Sequence, residues 1–260
     1  MVFEAVNYEV KNNIGYVTLN RPDKLNALNW QTMIEIKAAF ERIKNDVSVK
    51  GVILTGSGPK AFAAGADIAE LAEKSPVQAK QFALESQEIL RTIEHSQKPV
   101  VAAVNGFCLG GGNELAMACH MRWASEKAKF GQPEVNLGLI CGNGGTQRLA
   151  RLVGKGRAIE ILISGKIIGA EEAFQIGLVN HVVKPDALLP ACEEFLKTVF
   201  AKAPVAVGLS IEAVQHGMEM TLEEAIAFEA NQFGLVAATE DSKEGTTAFL
   251  EKRPASFSGK

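Results

Sequence analysis

The chain has 260 residues, 47% apolar and 22% charged, a composition that suits one large globular domain or a domain with a smaller appendage. Its 27 basic and 30 acidic side chains leave a formal charge of −3, and Lys and Arg are spread along the chain, so whole-chain electrostatics show no nucleic-acid footprint. The longest uncharged stretch near the middle, residues 99–113, is too short and too rich in glycine to span a bilayer, so no membrane association is expected.

In chain order, residues 3–10 and 14–19 are short runs rich in β-branched and aromatic side chains, and Lys11-Asn12-Asn13 between them is a turn signal, which together predict a β-hairpin. Met33, Ile34, Ile36, Ala39, Phe40 and Ile43 recur at helical spacing. The apolar run GVILT (51–55) then enters Gly56-Ser57-Gly58-Pro59 and predicts a buried strand leading into a loop. Phe82, Ile89, Leu90 and Ile93 mark a second amphipathic helix, and VVAAV (100–104) a second buried strand. Short, wholly apolar strands alternating with helices predict an α/β core of parallel strands covered by helices.

After about Gly142 the pattern is mostly helical, with one strand-like run at 178–183. Thr221-Leu222-Glu223-Glu224 is a capping-box pattern, and Pro254 is expected to close a last helix containing Phe249 and Lys252. Cys108, Cys119, Cys141 and Cys192 form no CxxC pair and no zinc-like cluster, and read as reduced thiols of a cytoplasmic protein. The opening Met1-Val2-Phe3-Glu4 lacks the basic region and apolar core of a signal peptide.

Two strand-to-loop junctions carry the chemistry. One is KAFAAGAD (60–67) after GVILT, and the other is NGFCLGGGNELA (105–116) after VVAAV. Both lie where an α/β sheet binds ligands, beyond the carboxyl ends of its strands, and both use small residues that let a ligand reach backbone N–H groups. One N–H from each, aimed at one point, would make an oxyanion hole, although glycines there also serve close helix–sheet packing. Glu114 follows the triple glycine and Glu134 lies in FGQPE. Singly, each is explained as an acid favoured by a helix start; together they form a carboxylate pair beside an anion-stabilising loop, as general acid–base chemistry requires. The four histidines have no partner motif, Gly154-Lys155-Gly156 lacks phosphate-loop spacing, and no GxSxG is present.

The segment VAAVNGFCLGGGNELAMACHM (101–121) resembles the enoyl-CoA hydratase/isomerase (crotonase) superfamily. So do Asn20-Arg21-Pro22 with Leu25-Asn26-Ala27-Leu28, AFAAGADI (61–68), FGQPEVNLGL (130–139), GGTQRL (144–149) and FLEKR (249–253), which together cover nearly the whole chain. The resemblance implies an α/β spiral of repeated ββα units. Residues 1–185 would form the core with the coenzyme A and catalytic sites, and residues 186–260 a helical region for oligomerisation into trimers, commonly paired as hexamers. It implies Ala66 and Gly111 as the oxyanion-hole donors and Glu114 and Glu134 as the catalytic glutamates. Lys24, Leu25, Ala64, Asp67 and Ile68 would line the coenzyme A site, with Phe249 and Lys252 arriving from a neighbouring subunit, and Gln132 would orient Glu134 from behind.

The implied reaction is hydration of trans-2-enoyl-CoA, an acyl-CoA thioester, to 3-hydroxyacyl-CoA, as in fatty-acid β-oxidation. Glu114 would activate the water and Glu134 deliver the proton. No metal and no separate cofactor are called for, since coenzyme A is part of the substrate. A Δ3,Δ2-enoyl-CoA isomerase and a branched-chain enoyl-CoA hydratase are the alternatives, the former because isomerases often keep only the glutamate matching Glu134. A non-catalytic acyl-CoA- or RNA-binding protein on the same scaffold is the reading from another class, and the presence of both glutamates argues against it. His120 departs from the family pattern, in which an acidic residue is common, and a local packing change is expected there. The wall for the acyl tail is expected near residues 69–83 and 140–143.

Overall fold

A hairpin opens the fold. Strand β1 (Val6–Lys11) pairs antiparallel with β2 (Ile14–Leu19), and Asn12 and Asn13 between them both take positive φ, 53° and 64°. Two left-handed residues twist a tight turn to match its strands, and asparagine tolerates that region better than other side chains with a Cβ. The architecture is that of a computed structural model describing residues 3–260. Helix α1 (Trp30–Asn45) is capped by Asn29, which accepts the Thr32 N–H, and its buried stripe from Met33 to Ile43 packs on the hairpin.

The ββα pattern then repeats. Strands β3 (Gly51–Gly56) and β4 (Ala61–Ala63) lead into helices α2 (Ile68–Ala72) and α3 (Pro76–Glu94). Strands β5 (Val100–Val104) and β6 (Phe107–Leu109) lead into α4 (Gly111–Ala118). Strands β7 (Met121–Ser125) and β8 (Lys129–Gly131) lead through a 3-10 turn (Pro133–Leu137) into α5 (Gly145–Val153) and α6 (Lys155–Ser164). Then come β9 (Ile167–Gly169), α7 (Ala170–Gln175) and β10 (His181–Val183). The hairpin strands, the first strands β3, β5 and β7 of the following units, and β10 build a six-stranded sheet in the order β1-β2-β3-β5-β7-β10, parallel from β2 onward, while β4, β6, β8 and β9 build a four-stranded sheet in that order.

The central strands β3 and β5 of the large sheet are buried on both faces, as wholly apolar strands require. Val52 and Leu54 of β3 and Val100, Ala102 and Val104 of β5 face the main core with α1, α3 and α4. The alternate residues Ile53, Val101 and Ala103 face a second cluster containing Leu188, Cys192 and Leu196 of α8 (Leu188–Phe200). The helical region expected from residue 186 therefore begins with a helix that belongs to the core, because leaving that sheet face bare would expose a row of apolar side chains.

Helices α9 (Pro204–Gly217), α10 (Leu222–Ala237) and α11 (Glu240–Leu250) complete the chain. The capping box at Thr221 is present, with Thr221 and Glu224 bonded reciprocally. Helix α11 ends at Leu250, earlier than the position of Pro254 suggests, so Lys252 lies outside it at φ 56°. Arg253 pairs with Glu244 and Glu251 there and folds the tail back along α11. Among the described residues no helix is long and apolar enough to cross a membrane.

Candidate active site

The two glycine-rich junctions meet. Gly112 sits so close to β4 that a Cβ on it would lie 2.1 Å from the Ala63 carbonyl oxygen, which makes it the glycine of close helix–sheet packing. One residue earlier the contact is of another kind: a Cβ on Gly111 would lie 3.3 Å from the Ala66 backbone nitrogen and 3.4 Å from Asn143 Nδ2. Gly110 enters the helix at φ 50°, ψ −125°, a conformation that favours glycine, and this brings the start of α4 against Ala66. Among the described residues neither the Ala66 nor the Gly111 N–H donates to a backbone carbonyl outside the regular elements. Close helix–sheet packing thus falls to Gly112, while Gly111 faces the Ala66 backbone.

Residues near the start of the chain hold the first junction in place. The Leu28 N–H donates to the Gly65 carbonyl at 2.8 Å, the Asp67 N–H to Leu28 at 2.8 Å, and the Ala64 N–H to Leu25 at 3.0 Å. Arg21 adds an ion pair to Asp67 at 3.0 Å. Lys24, Leu25, Ala64, Asp67 and Ile68 are therefore brought together along one edge, with Lys24 and Ile68 exposed. Phe249 and Lys252 are also exposed, Phe249 by 82%.

Glu114, in the first turn of α4, is 1% exposed. Its Oε1 accepts the Asn143 N–H at 2.8 Å and the Gly145 N–H at 2.7 Å. Arg148 steadies that cradle, donating to the Asn143 carbonyl while its guanidinium grips the Glu94 carboxylate of α3. Burial pushes the Glu114 carboxyl up to about 7; the Gly145 N–H draws it back, and the neighbouring Glu134 charge raises it again.

Glu134 lies in the 3-10 turn; both its carboxyl oxygens are buried without a conventional hydrogen bond, and the Cys141 thiol is the side chain beside them. Burial raises its pKa too. Gln132 is fully buried and makes no hydrogen bond to Glu134; its amide reaches the Gly131 and Gly110 carbonyls at one end and Cys141 at the other. Cys141, Asn143, Gly145 and Arg148 are the residues of this site that sequence motifs left without a role.

The remaining expectations also find places. The loop at 140–143 meets α3 near Ala83, and Gln87 Nε2 donates to the Gly142 carbonyl at 2.8 Å, so the two segments expected to wall the acyl tail are neighbours. His120 accepts the Val100 N–H at 3.1 Å and lies 3.0 Å from the Glu94 carbonyl, and burial keeps it neutral. That is a local packing role.

The profile of the enoyl-CoA hydratase/isomerase family matches residues 9–260. The chain belongs to that family. It is 49% identical to a crotonyl-CoA hydratase of Syntrophomonas wolfei over 260 residues, all of both chains. It is 47% identical to a short-chain-enoyl-CoA hydratase of Clostridium acetobutylicum, over 97% of each. The crystal structure of an enoyl-CoA hydratase from Bacillus anthracis superposes with a TM-score of 0.94 at 36% identity, over 99% of this chain and 100% of the other. The spiral of ββα units with helices at its carboxyl end is the fold these family members share.

The titration of Glu114 gives this enoyl-CoA hydratase/isomerase family member a pH-dependent stability of definite sign. A carboxyl at about 7 in the fold and at an ordinary 4.5 when unfolded holds more proton in the folded state between those values. Stability from this group is complete below the unfolded value and falls as pH rises through 7, by about 3 kcal/mol in all. Urea denaturation at about pH 5 and about pH 8 should show the parent losing stability relative to Glu114→Gln by roughly that amount. A parent-to-variant difference that stays flat with pH would sink this account.

Proposed function

We propose that the chain hydrates trans-2-enoyl-CoA to 3-hydroxyacyl-CoA, with Glu114 and Glu134 handling one water and the Ala66 and Gly111 N–H groups binding the thioester oxygen. The observation that supports this reading is the meeting of the two junctions beside two buried carboxyls: a Cβ on Gly111 would lie 3.3 Å from the Ala66 nitrogen and one on Gly110 3.2 Å from Glu134 Oε1. A thioester carbonyl accepting both N–H groups is polarised, and the enolate-like charge that grows during addition falls at the positive end of α4. Glu114 takes a proton from water as its oxygen bonds to the β-carbon, and Glu134 gives a proton to the α-carbon. Two N–H donors on Glu114 favour the charge there, whereas Glu134, without a conventional hydrogen bond, favours keeping the proton. The pair titrates as a unit.

The pantetheine and nucleotide of the substrate would follow the edge formed by Lys24, Leu25, Ala64, Asp67 and Ile68. Exposed Leu222, Ile226, Phe233, Phe249 and Leu250 on α10 and α11 support burial of this region between subunits, in a trimer or a hexamer of paired trimers, with Phe249 and Lys252 reaching a neighbour's site. The substrate brings its own coenzyme A, and the chemistry asks for no further cofactor.

The test is the loss of ultraviolet absorbance of the conjugated thioester when crotonyl-CoA is added, repeated along a series of longer and branched acyl chains. We expect rapid loss with crotonyl-CoA and 3-hydroxybutanoyl-CoA as the product. A dominant shift of the double bond in 3-enoyl thioesters, with little 3-hydroxyacyl product, would overturn the assignment.

A further inference from the structure

Cys141 stands where three parts of the site meet. At one end of the Gln132 amide lie the Gly131 carbonyl at 2.8 Å, the Gly110 carbonyl at 3.2 Å and the Asn113 side-chain amide at 3.0 Å; the two carbonyls can only accept, so the amide nitrogen belongs there. Its other end, then the oxygen, lies 3.1 Å from Cys141 Sγ, within reach of the thiol proton, and the same thiol neighbours the Glu134 carboxyl. Gly110 carries the positive-φ turn that precedes Gly111; its own N–H donates to Gly131 at 2.9 Å and its carbonyl takes the Glu114 N–H at 3.0 Å. The sulfur also closes on the Glu114 cradle, since a Cβ on Gly145 would lie 3.0 Å from Sγ.

We propose that Cys141 is a positioning residue for hydration: its thiol fixes the Gln132 amide, which fixes the Gly110–Gly111 peptide that supplies one oxyanion donor, while its sulfur fills the gap between the two glutamates. The proposal rests on the hydratase reading above and assigns a residue to the same site. A thiol suits the position because it donates a hydrogen bond and fills more space than a hydroxyl. It also stays intact there: burial first, and then the Glu114 and Glu134 charges, push it up to about 12, so it does not ionise and attack the β-carbon of a bound enoyl thioester.

The experiment is steady-state hydration of crotonyl-CoA by the full chain and by Cys141→Ala, Cys141→Ser and Glu134→Gln, with thermal melting of each. We expect Cys141→Ala to lower kcat by roughly threefold to tenfold, the equivalent of one neutral hydrogen bond, with KM unchanged within about twofold. Cys141→Ser, which restores a donor to the Gln132 oxygen, should recover most of the lost turnover even where its melting temperature equals that of the alanine variant. Parent turnover in Cys141→Ala, or a serine variant no better than alanine, overturns the positioning role. Glu134→Gln separates the two levels: if it is nearly inactive while Cys141→Ala keeps the parent rate, only this proposal fails, and if it too turns over at the parent rate, the glutamate reading fails and this proposal with it.

Discussion

Glu134→Gln is expected to hydrate crotonyl-CoA ~10²–10⁴ times more slowly than the parent, with KM within a few-fold. The side chain has little to lose structurally, since neither carboxyl oxygen makes a conventional hydrogen bond and its neighbour, the Cys141 thiol, can donate equally to an amide oxygen. An amide of the same size therefore keeps the fold and removes only the transferable proton. Glu114→Gln should fall in the same range for a related reason. Its amide oxygen still accepts the Asn143 and Gly145 N–H groups, so the cradle survives while the base is gone. Because both act on one water, the double variant should lose far less than the product of the two single losses. Stopped assays of 3-hydroxybutanoyl-CoA formation read all three. Parent-level turnover in both single variants would remove the glutamates from the mechanism.

The sequence made the central strands legible because they are buried on both faces. GVILT and VVAAV are uninterrupted apolar runs, and both are strands of the large sheet. The turn at Asn12-Asn13 and the cap at Thr221 were equally readable, since each depends on one side chain's local chemistry. The second sheet was not. AFA, FCL, KFG and IIG are three-residue strands, too short to show alternation, and neighbouring strands define them more than their own residues do. Helix α8 looked like the start of an outer region because nothing local shows that Leu188, Cys192 and Leu196 meet Ile53 and Val101. The site divides in the same way. Glu114, Glu134 and the glycines around Gly111 lie in motifs that imply their roles, whereas Cys141, and Gly145 and Arg148 within GGTQRL, gain theirs only because the loop after the 3-10 turn folds back on α4.

Gly145→Ala is expected to cost the chain ~10² or more in kcat while leaving it folded. Gly145 begins α5, and nothing in its backbone conformation demands glycine; the demand comes from what surrounds it. A Cβ there would meet the end of the Gln132 amide that faces Cys141 at 2.4 Å, Glu114 Oε1 at 2.9 Å and Cys141 Sγ at 3.0 Å. All three are side-chain atoms, so the protein can yield by moving them, and any such movement displaces the Glu114 carboxylate, the Gln132 brace or both. The contrast is Gly112→Ala, whose methyl would meet the Ala63 carbonyl oxygen at 2.1 Å and has only backbone to push against, so that variant should lose the fold itself. Gly156→Ala, with nothing within 4 Å, should match the parent in turnover and melting. Circular dichroism, thermal melting and crotonyl-CoA turnover on the three variants separate a lost site from a lost fold. A Gly145→Ala protein that melts and turns over like the parent would mean that the loop from Cys141 to Gly145 holds Glu114 far more loosely than two N–H bonds of 2.8 and 2.7 Å imply.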